Sequence, residues 1–344
     1  MNTIFDYGLA DWEAWTKSKG VPKYRAAQIY SFCSKGVQDL DRMQNLPLDL
    51  RKAIREDFVL PVLTLQQEFR SENDGTRKFV FRLHDGHIIE TVAMWYKTGV
   101  SVCISSQSGC RMGCSFCASA AAGFGRNLTP GEMLGQITVV ADLIGERIRS
   151  VVVMGIGEPF DNYDNLIAFL HMANAPEGLN LGARHITVST CGLVPQMLEF
   201  MHVNLQVNLS VSLHAPDDRL RAELMPAARI YTLKELIDAC RRYTEETGRR
   251  ITFEYSLFSG VNDNPEQARA LYSLLRGVHC HVNLIAANEF PGSAYHRSSS
   301  ERVRSFQEIL EKLGMNVTLR REMGSDIQAA CGQLRRGIQE RETI

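Results

Sequence analysis

Residues 108–119 read Ser108-Gly-Cys110-Arg-Met-Gly-Cys114-Ser-Phe-Cys117-Ala-Ser and place three cysteines at CxxxCxxC spacing, with two glycines among them. Packing alone does not explain cysteines that recur at short fixed intervals beside glycine, so the pattern predicts metal ligands. A zinc site would need a second cysteine or histidine pair, and no histidine stands at the required spacing near this loop. Three thiolates without a local fourth suit a four-iron, four-sulfur (4Fe-4S) cluster whose fourth iron is open to a small-molecule ligand.

The composition is that of an ordinary globular chain, with 344 residues, 44% hydrophobic and 22% charged. The net charge of −1 gives no global argument for a nucleic-acid partner, which local patches would have to bind. The run 137–144 is too short to span a membrane, and the N-terminus lacks the features of a signal peptide. We therefore expect a cytoplasmic protein with no membrane partner. Nine cysteines without framework spacing favour reduced thiols over structural disulfides.

The first two segments of the chain are predicted to flank a larger core. Residues 1–58 show helical periodicity and form a helix-hairpin-like appendage. Residues 59–98 change to a period of two, with Asp85-Gly86 between two strands, which predicts a small β-hairpin extension. Between Ala14 and Gln38 the appendage carries five basic residues and no acidic one, which favours either an RNA-docking face or an ordinary solvated surface. These basic residues are Lys17, Lys19, Lys23, Arg25 and Lys35.

Residues 99–320 alternate short apolar strands with amphipathic helices, and residues 321–344 form a C-terminal segment. Repeated βαβ units require parallel strands with right-handed crossovers, so the fold class is α/β, a partial (β/α)6 TIM-like barrel with the two appended segments. The active site of such a barrel lies at the carboxyl ends of the strands. The predicted strands are 101–105, 150–154, 185–189, 206–212, 252–258 and 281–285, followed by 316–319 before the C-terminal segment.

Polar residues and glycines follow several of these strands, and we expect them to meet at one face of the barrel. In Gly155-Ile-Gly157-Glu158-Pro159 the paired glycines allow close backbone approach, and the carboxylate suits the amino group of a ligand. The other strand-end groups are 189–192, 212–214 and 288–292. In the C-terminal segment, Cys331 follows two arginines and precedes a glycine, which favours a reachable, reactive thiol. Cys33, Cys240 and Cys280 stand in apolar settings and are expected to be core residues.

Together these motifs resemble the RlmN/Cfr family of radical S-adenosylmethionine (SAM) enzymes, and within it the RlmN-type dual-specificity RNA methyltransferases. The resemblance covers nearly the whole chain, and the C-terminal motif is its most specific part. It implies methylation of C2 of adenine in 23S rRNA and in tRNA. The matching stretches are 23–29, 45–47, 90–92, 103–110, 154–159, 212–216 and 326–334.

The resemblance also implies cofactors and residue roles. The cofactors are one 4Fe-4S cluster and SAM, with two SAM used per turnover. The implied metal ligands are Cys110, Cys114 and Cys117; the implied SAM contacts are Gly157, Glu158, Ser189, Ser212, Leu213, His214 and Asn288. Cys331 is implied as the methyl carrier, Cys103 as its disulfide-forming partner and Glu90 as the proton acceptor. In one departure, Ala286-Ala287-Asn288-Glu289 lacks the family's usual proline and carries an acidic residue after the asparagine, which bears on SAM contact by Asn288.

The chemistry requires such parts, because adenine C2 is electron-poor and does not attack the methyl group of SAM. A radical formed from a methyl group on Cys331 can add to C2, joining protein and RNA covalently. Cys103 then attacks the carrier sulfur, and the resulting disulfide is reduced by external thiols. The resemblance further implies a flavodoxin- or ferredoxin-like electron donor and a monomer. Two alternatives stay open at this point: a Cfr-like adenine C8 methyltransferase, and an iron–sulfur RNA-binding protein without turnover.

Overall fold

The computed structural model describes residues 2–290 and 292–334, so residues 335–344 of the predicted C-terminal segment lie outside the described residues. Strands and helices alternate from Gly99 onward, as the sequence predicts. The strands are β1 (Leu63–Arg70), β2 (Arg77–Leu83), β3 (Ile88–Tyr96), β4 (Gly99–Cys103), β5 (Gln107–Gly109), β6 (Phe124–Asn127), β7 (Ile148–Val153), β8 (Ile186–Thr190), β9 (Asn208–Ser212), β10 (Ile251–Leu257), β11 (Cys280–Ala286) and β12 (Val317–Leu319). The helices are α1 (Leu9–Ser18), α2 (Tyr24–Cys33), α3 (Leu48–Asp57), α4 (Ala118–Ala121), α5 (Pro130–Ile144), α6 (Tyr163–Asn174), α7 (Val194–Phe200), α8 (Asp218–Leu224), α9 (Leu233–Thr247), α10 (Pro265–Leu275) and α11 (Ser300–Lys312).

One sheet organises the molecule, with strand order β1-β2-β3-β4-β7-β8-β9-β10-β11-β12. Strands β4 and β7 to β12 pair in parallel, so their carboxyl ends share one edge. The order ends at β12 without returning to β4, which makes the barrel partial. The predicted fold class is therefore confirmed.

The predicted β-hairpin extension is a three-stranded antiparallel unit that continues the barrel sheet. Strand β3 pairs with β2 on one side and with β4 on the other, where Val92 is opposite Cys103. Strand β1 was missed by the sequence analysis, because its residues Leu63–Arg70 are mostly polar and exposed or half-buried. This continuity matters for the site, since it places a face of β3 beside Cys103.

Local sequence signals explain where the long helices begin and end. Helix α5 begins with a capping box in which Thr129 accepts from the N–H of Glu132 and the Glu132 carboxylate reaches back to Thr129. It ends at Gly145, whose φ of +71° suits a residue without a Cβ. Thr232 and Glu235 form the same box at the start of α9. These signals set the lengths of the helices that cover the sheet.

The N-terminal helices pack through an aromatic cluster of Tyr7, Trp12, Trp15 and Phe58 that joins the barrel core. The predicted basic face is partly neutralised by acids from outside the counted window. Lys19 lies 2.7 Å from Asp57, and Lys23 lies 3.0 Å from Glu13. As predicted, Cys33, Cys240 and Cys280 are buried in the core. Across residues 2–290 and 292–334, no helix is long and apolar enough to cross a membrane.

Candidate active site

The three cysteines of the CxxxCxxC loop line one cavity at the carboxyl ends of the parallel strands. Strands β5 and β6 frame the loop, and the N–H of Cys110 donates to the carbonyl of Gly123 at 3.1 Å. Burial raises the pKa of Cys110 to about 12 and holds that of Cys114 well above its ordinary value. Thiolates are therefore costly here without a positive partner, and iron ions would provide the compensating charge.

The lining of this cavity suits a cluster held by thiolates beside an organic ligand. Among the described residues, no three His, Cys, Asp or Glu side chains converge on a position for one ion. The thiols of Cys110, Cys114 and Cys117 instead border a cavity of about 170 Å³. On the same cavity, Asn288 Oδ1 is buried and has no hydrogen-bond partner within residues 2–290 and 292–334. A buried polar atom of this kind is expected to bind a ligand.

Gly157 and Glu158 follow β7 and close one side of this cavity. Gly157 has a φ of +109°, and a Cβ there would lie 2.6 Å from the Cβ of Gln107, so only glycine is accommodated. The buried Glu158 carboxylate accepts from the N–H of Phe160 at 3.0 Å and from the N–H of Cys191 at 2.7 Å. Burial raises the pKa of Glu158, while these backbone bonds oppose the shift. The carboxylate thus fixes the turn after β8 and retains lone pairs for a ligand.

The structure brings most of the other predicted SAM contacts to the same cavity. Ser189, Ser212, His214 and Asn288 line it together with the cysteine loop. Leu213 does not line it, because its side chain is fully buried in the core and its N–H donates to the carbonyl of Glu254 at 3.0 Å. The convergence follows from parallel pairing, which puts the ends of β8, β9 and β11 at one edge.

His214 is held in an unusual backbone conformation with its ring neutral. Its φ is +58°, and its Nδ1 accepts from the N–H of Ser256 at 2.9 Å. The ring packs edge-on against Phe116 of the cysteine loop, with centroids 4.9 Å apart. Burial, with a contribution from Arg221, lowers the pKa of His214 to about 3. The imidazole therefore acts as a hydrogen-bond acceptor and packing surface.

Arg221 on α8 was missed by the sequence analysis. Its guanidinium is buried and donates to the carbonyls of Cys191 at 2.7 Å, Ser212 at 3.3 Å and Leu213 at 3.3 Å. One side chain thereby joins the turns that follow β8 and β9. An arginine on a short helix carries no sequence signal for this role, since most arginines are exposed.

Cys103 and Cys331 line a second cavity of about 260 Å³. Cys331 also lines the cavity of the cysteine loop, so it lies between the two. Burial, followed by the charge of Cys331, raises the pKa of Cys103 to about 12. Arg320 lines both cavities as well, and the neighbouring Cys331 and Glu254 raise its pKa. All nine cysteines are free, so Cys103 and Cys331 are not bonded to each other in this structure.

The Cys331 segment, residues 324–334, is hydrogen-bonded to several parts of the fold. The N–H of Gly324 donates to Asp74 Oδ2 in the β1–β2 turn at 2.9 Å. The carbonyl of Cys331 accepts from Asn288 Nδ2 at 3.2 Å. The carbonyl of Gly332 accepts from the N–H of Ala118 at 2.9 Å, next to the cysteine loop. These bonds hold Cys331 between the cavities.

Glu90 lies on β3 beside Lys78, which contacts the Cys331 segment. It is fully buried, and its Oε1 lies 3.4 Å from the Nζ of Lys78, which is also fully buried. Glu90 does not appear in the lining of either cavity, although it lies on the face of the sheet that carries Val92 and Cys103. Its predicted proton-accepting role is taken up below.

Comparison with known proteins places this site in a class. Residues 104–272 match the family model of the Radical SAM superfamily. The chain is 50% identical over 344 residues to a Clostridium botulinum protein described as "Probable dual-specificity RNA methyltransferase RlmN", covering 100% of this chain and 99% of that one. A Clostridium beijerinckii protein of the same description is 50% identical over 336 residues, covering 98% and 95%. A crystal structure of a radical SAM methyltransferase from Sphaerobacter thermophilus superposes with a TM-score of 0.94 at 45% identity, covering 97% and 99%.

The barrel and its cysteine loop are those of a radical SAM enzyme, whose cofactors are SAM and a 4Fe-4S cluster. Within that class, identity over the full length shows that the chain belongs to the RlmN family of dual-specificity RNA methyltransferases. The family, the type of enzyme and the cofactors predicted from the sequence are thereby confirmed.

Proposed function

We propose that this enzyme methylates C2 of adenine in 23S rRNA and in tRNA, with Cys331 as the carrier of the methyl group. The observation that carries the proposal is the position of Cys331, which lines both the cavity of the cysteine loop and the cavity of Cys103. A methyl group on its sulfur would be accessible from the cofactor side and from the RNA side. The dual specificity in the names of the relatives supports two RNA classes.

The cofactor side is assigned as follows. We propose that Cys110, Cys114 and Cys117 hold the cluster, and that Gly157, Glu158, Ser189, Ser212, His214 and Asn288 contact SAM. When bound, the cluster and SAM supply a methyl group and a hydrogen-abstracting radical, with two SAM used per turnover. The buried carboxylate of Glu158 suits the amino group of a ligand, and the unpartnered Oδ1 of Asn288 suits a donor. Leu213 would support this wall from the core.

The protein residues then divide the transfer into steps. The Cys331 sulfur binds the methyl group, and one hydrogen atom of that group would be abstracted by the radical. The resulting methylene carbon then bonds to adenine C2, which joins the protein to the RNA. Glu90 accepts the C2 proton. Cys103 attacks the Cys331 sulfur, so that an S–S bond forms and the bond between this sulfur and the methylene carbon breaks. The carbon takes up the proton that the Cys103 thiol gives up, the methylated base is released, and external thiols reduce the disulfide. Burial keeps the Cys103 thiol protonated before this step, because its pKa is raised to about 12.

A comparison of two variants tests the proposal, since the two cysteines act in sequence. Cys331→Ala removes the carrier, so neither a methylated protein nor an RNA adduct can form. Cys103→Ala leaves the carrier intact and removes the thiol that resolves the adduct. Incubated with SAM, reductant and RNA, Cys103→Ala should run as a covalent protein–RNA species on a denaturing gel. Multiple turnover by Cys103→Ala, or an adduct with Cys331→Ala, would contradict the assignment.

The modified nucleoside itself distinguishes the remaining alternatives. Digestion of the product RNA and mass spectrometry against both standards should give 2-methyladenosine. 8-Methyladenosine would identify a Cfr-like C8 enzyme. RNA binding with no release of 5′-deoxyadenosine from SAM would identify a protein without turnover.

We further propose an external one-electron donor of the flavodoxin or ferredoxin type, a monomeric state and a cytoplasmic location. The cysteines outside the site, Cys33, Cys240 and Cys280, are buried in the core and do not repeat the CxxxCxxC spacing of the cluster loop. Large exposed apolar side chains are scattered over different elements, as in monomers. Light scattering on the purified enzyme tests the monomer, and reduction assays with each donor test the electron source.

A further inference from the structure

Lys78 places a buried ammonium group at the junction of three functional parts. It lies on β2 with no exposed surface, and its Nζ lies 3.4 Å from Glu90 Oε1 on β3. Lys78 pairs with Val92 in the β2–β3 register, and Val92 pairs with Cys103 in the β3–β4 register. Because side chains alternate along a strand, Lys78 and Glu90 share the face of the sheet that carries Cys103.

The same ammonium group also contacts the Cys331 segment. Its Nζ donates to the carbonyl of Gln328 at 3.2 Å, across 250 positions of sequence. Gln328 has a φ of +52°, a conformation that is uncommon for a residue other than glycine. Lys78 therefore links the carboxylate of Glu90 to the backbone of the segment that carries Cys331.

We propose that Lys78 is a positioning residue for the proton-removal step: it keeps Glu90 ionised and holds it at a fixed distance from the Cys331 segment. A carboxylate isolated in a dry interior is unfavourable and takes up a proton, after which it cannot serve as a base. The ammonium group of Lys78 provides the opposite charge, so the Glu90 carboxylate can stay ionised without contact with water. This inference rests on the proposed function, in which an RNA adduct on Cys331 must lose a proton to Glu90.

The proton balance assigns Lys78 no chemical change. Radical addition leaves one unpaired electron on the adenine ring of the adduct. The C2–H bond then breaks, its electron pair stays on the ring, and the proton moves to a carboxylate oxygen of Glu90. The one surplus electron would return to the cofactor side, which supplied one electron for the cleavage of SAM. Lys78 remains an ammonium throughout and keeps the Gln328 carbonyl as an acceptor. The proton leaves Glu90 to solvent before the next turnover. Loss of Lys78 should therefore slow adduct resolution and leave the earlier steps intact.

The test is a single-turnover reaction of the full-length, cofactor-loaded Lys78→Met enzyme with tRNA. Methylation of Cys331, followed by peptide mass, and formation of 5′-deoxyadenosine should match the wild type. The covalent protein–RNA adduct should accumulate and resolve more slowly by on the order of 10- to 100-fold. An ammonium with a merely structural role would lower all of these steps together.

Two further variants complete the design. Lys312→Met is the matched control: it removes an exposed lysine and its ion pair with Glu308 on α11, and it should leave adduct resolution unchanged. Lys78→Met combined with Glu90→Gln removes both charges and should resolve the adduct no more slowly than Glu90→Gln alone, because Lys78 acts through Glu90. This double variant also keeps the inference testable if Lys78→Met fails to fold, since it removes the Glu90 carboxylate together with the Lys78 ammonium group.

The outcomes separate this inference from the proposed function. If Cys103→Ala forms no adduct, the proposed function fails whatever Lys78 does. If Cys103→Ala forms the adduct but Lys78→Met resolves it at the wild-type rate, the positioning role is wrong. Parallel loss of Cys331 methylation in Lys78→Met, or slower resolution in the double variant than in Glu90→Gln, would likewise overturn the role.

Discussion

His214→Asn should remove a specific part of the acid sensitivity of this enzyme. His214 is 5% exposed, and burial lowers its pKa from 6.5 to about 3. Its Nδ1 accepts from the N–H of Ser256, so the folded state needs the neutral ring. Asparagine is the matched replacement, because its side-chain oxygen can accept the same bond and it tolerates the φ of +58°.

The sign and size follow from proton linkage. Between pH 6.5 and the folded-state pKa of about 3, the unfolded chain binds a proton at His214 and the folded chain does not. Stability from this group is therefore fully present above pH 6.5 and is lost as the pH falls towards 3. A pH of about 5 lies about 1.5 units below the unfolded-state pKa of His214. The free energy of unfolding at that pH is therefore lowered by about 2 kcal/mol through this group.

Urea unfolding of the cofactor-free chain at about pH 7 and about pH 5 measures this term. The wild type should lose about 2 kcal/mol more than His214→Asn over that interval, with other titrating groups cancelling in the comparison. The exposed His202 provides the control, since His202→Asn should behave as the wild type. Equal losses in the wild type and His214→Asn would refute the argument that burial keeps this imidazole neutral.

Three other predictions address the cluster, the cavity wall and the RNA surface. Cys110→Ser should lose the brown absorbance of the cluster and the release of 5′-deoxyadenosine, since two thiolates hold four irons poorly. Arg221→Met should lower the free energy of unfolding by about 2–4 kcal/mol, because it strands buried carbonyls, and should weaken SAM binding in equilibrium dialysis. Reversal of the exposed Lys17 and Lys35 to glutamate should weaken RNA binding and flatten its salt dependence. An unchanged salt slope would assign these lysines to ordinary solvated surface.

Patterns that act over short distances in sequence predicted most of the fold. The alternation of apolar strands with amphipathic helices predicted the parallel sheet, because each strand and each helix has its own recognisable hydrophobic period. Asp85-Gly86 predicted the β2–β3 turn, which the pairing of Val80 with Glu90 confirms. Strand β1 lacked such a signal, since it is an edge strand of mixed polarity. Edge strands need only one apolar neighbour, so their sequences are less constrained.

The buried charges of the site were harder to predict, for a physical reason. Arg221 and Lys78 are residue types that are almost never fully buried unless they are paired, so single-residue tendencies place them at the surface. Their partners are carbonyls and a carboxylate that only the folded chain brings near. Sequence periodicity predicts which face of a helix or strand is buried. It does not predict which atoms of other elements contact that face, so it cannot predict such a pairing.

One of the two contacts of Lys78, the ion pair with Glu90, can nevertheless be predicted from the position of the Asp85-Gly86 turn. That turn sets a register in which Lys78 is opposite Val92 and Glu90 is opposite Val80, so the two charges are diagonal neighbours on one face. Diagonal neighbours in an antiparallel pair are within reach of long side chains. The other contact, that with Gln328, closes a loop of 250 residues and depends on how the Cys331 segment lies across the sheet. The local register thus supplies an ion pair, and only the tertiary fold places it against the segment that carries Cys331.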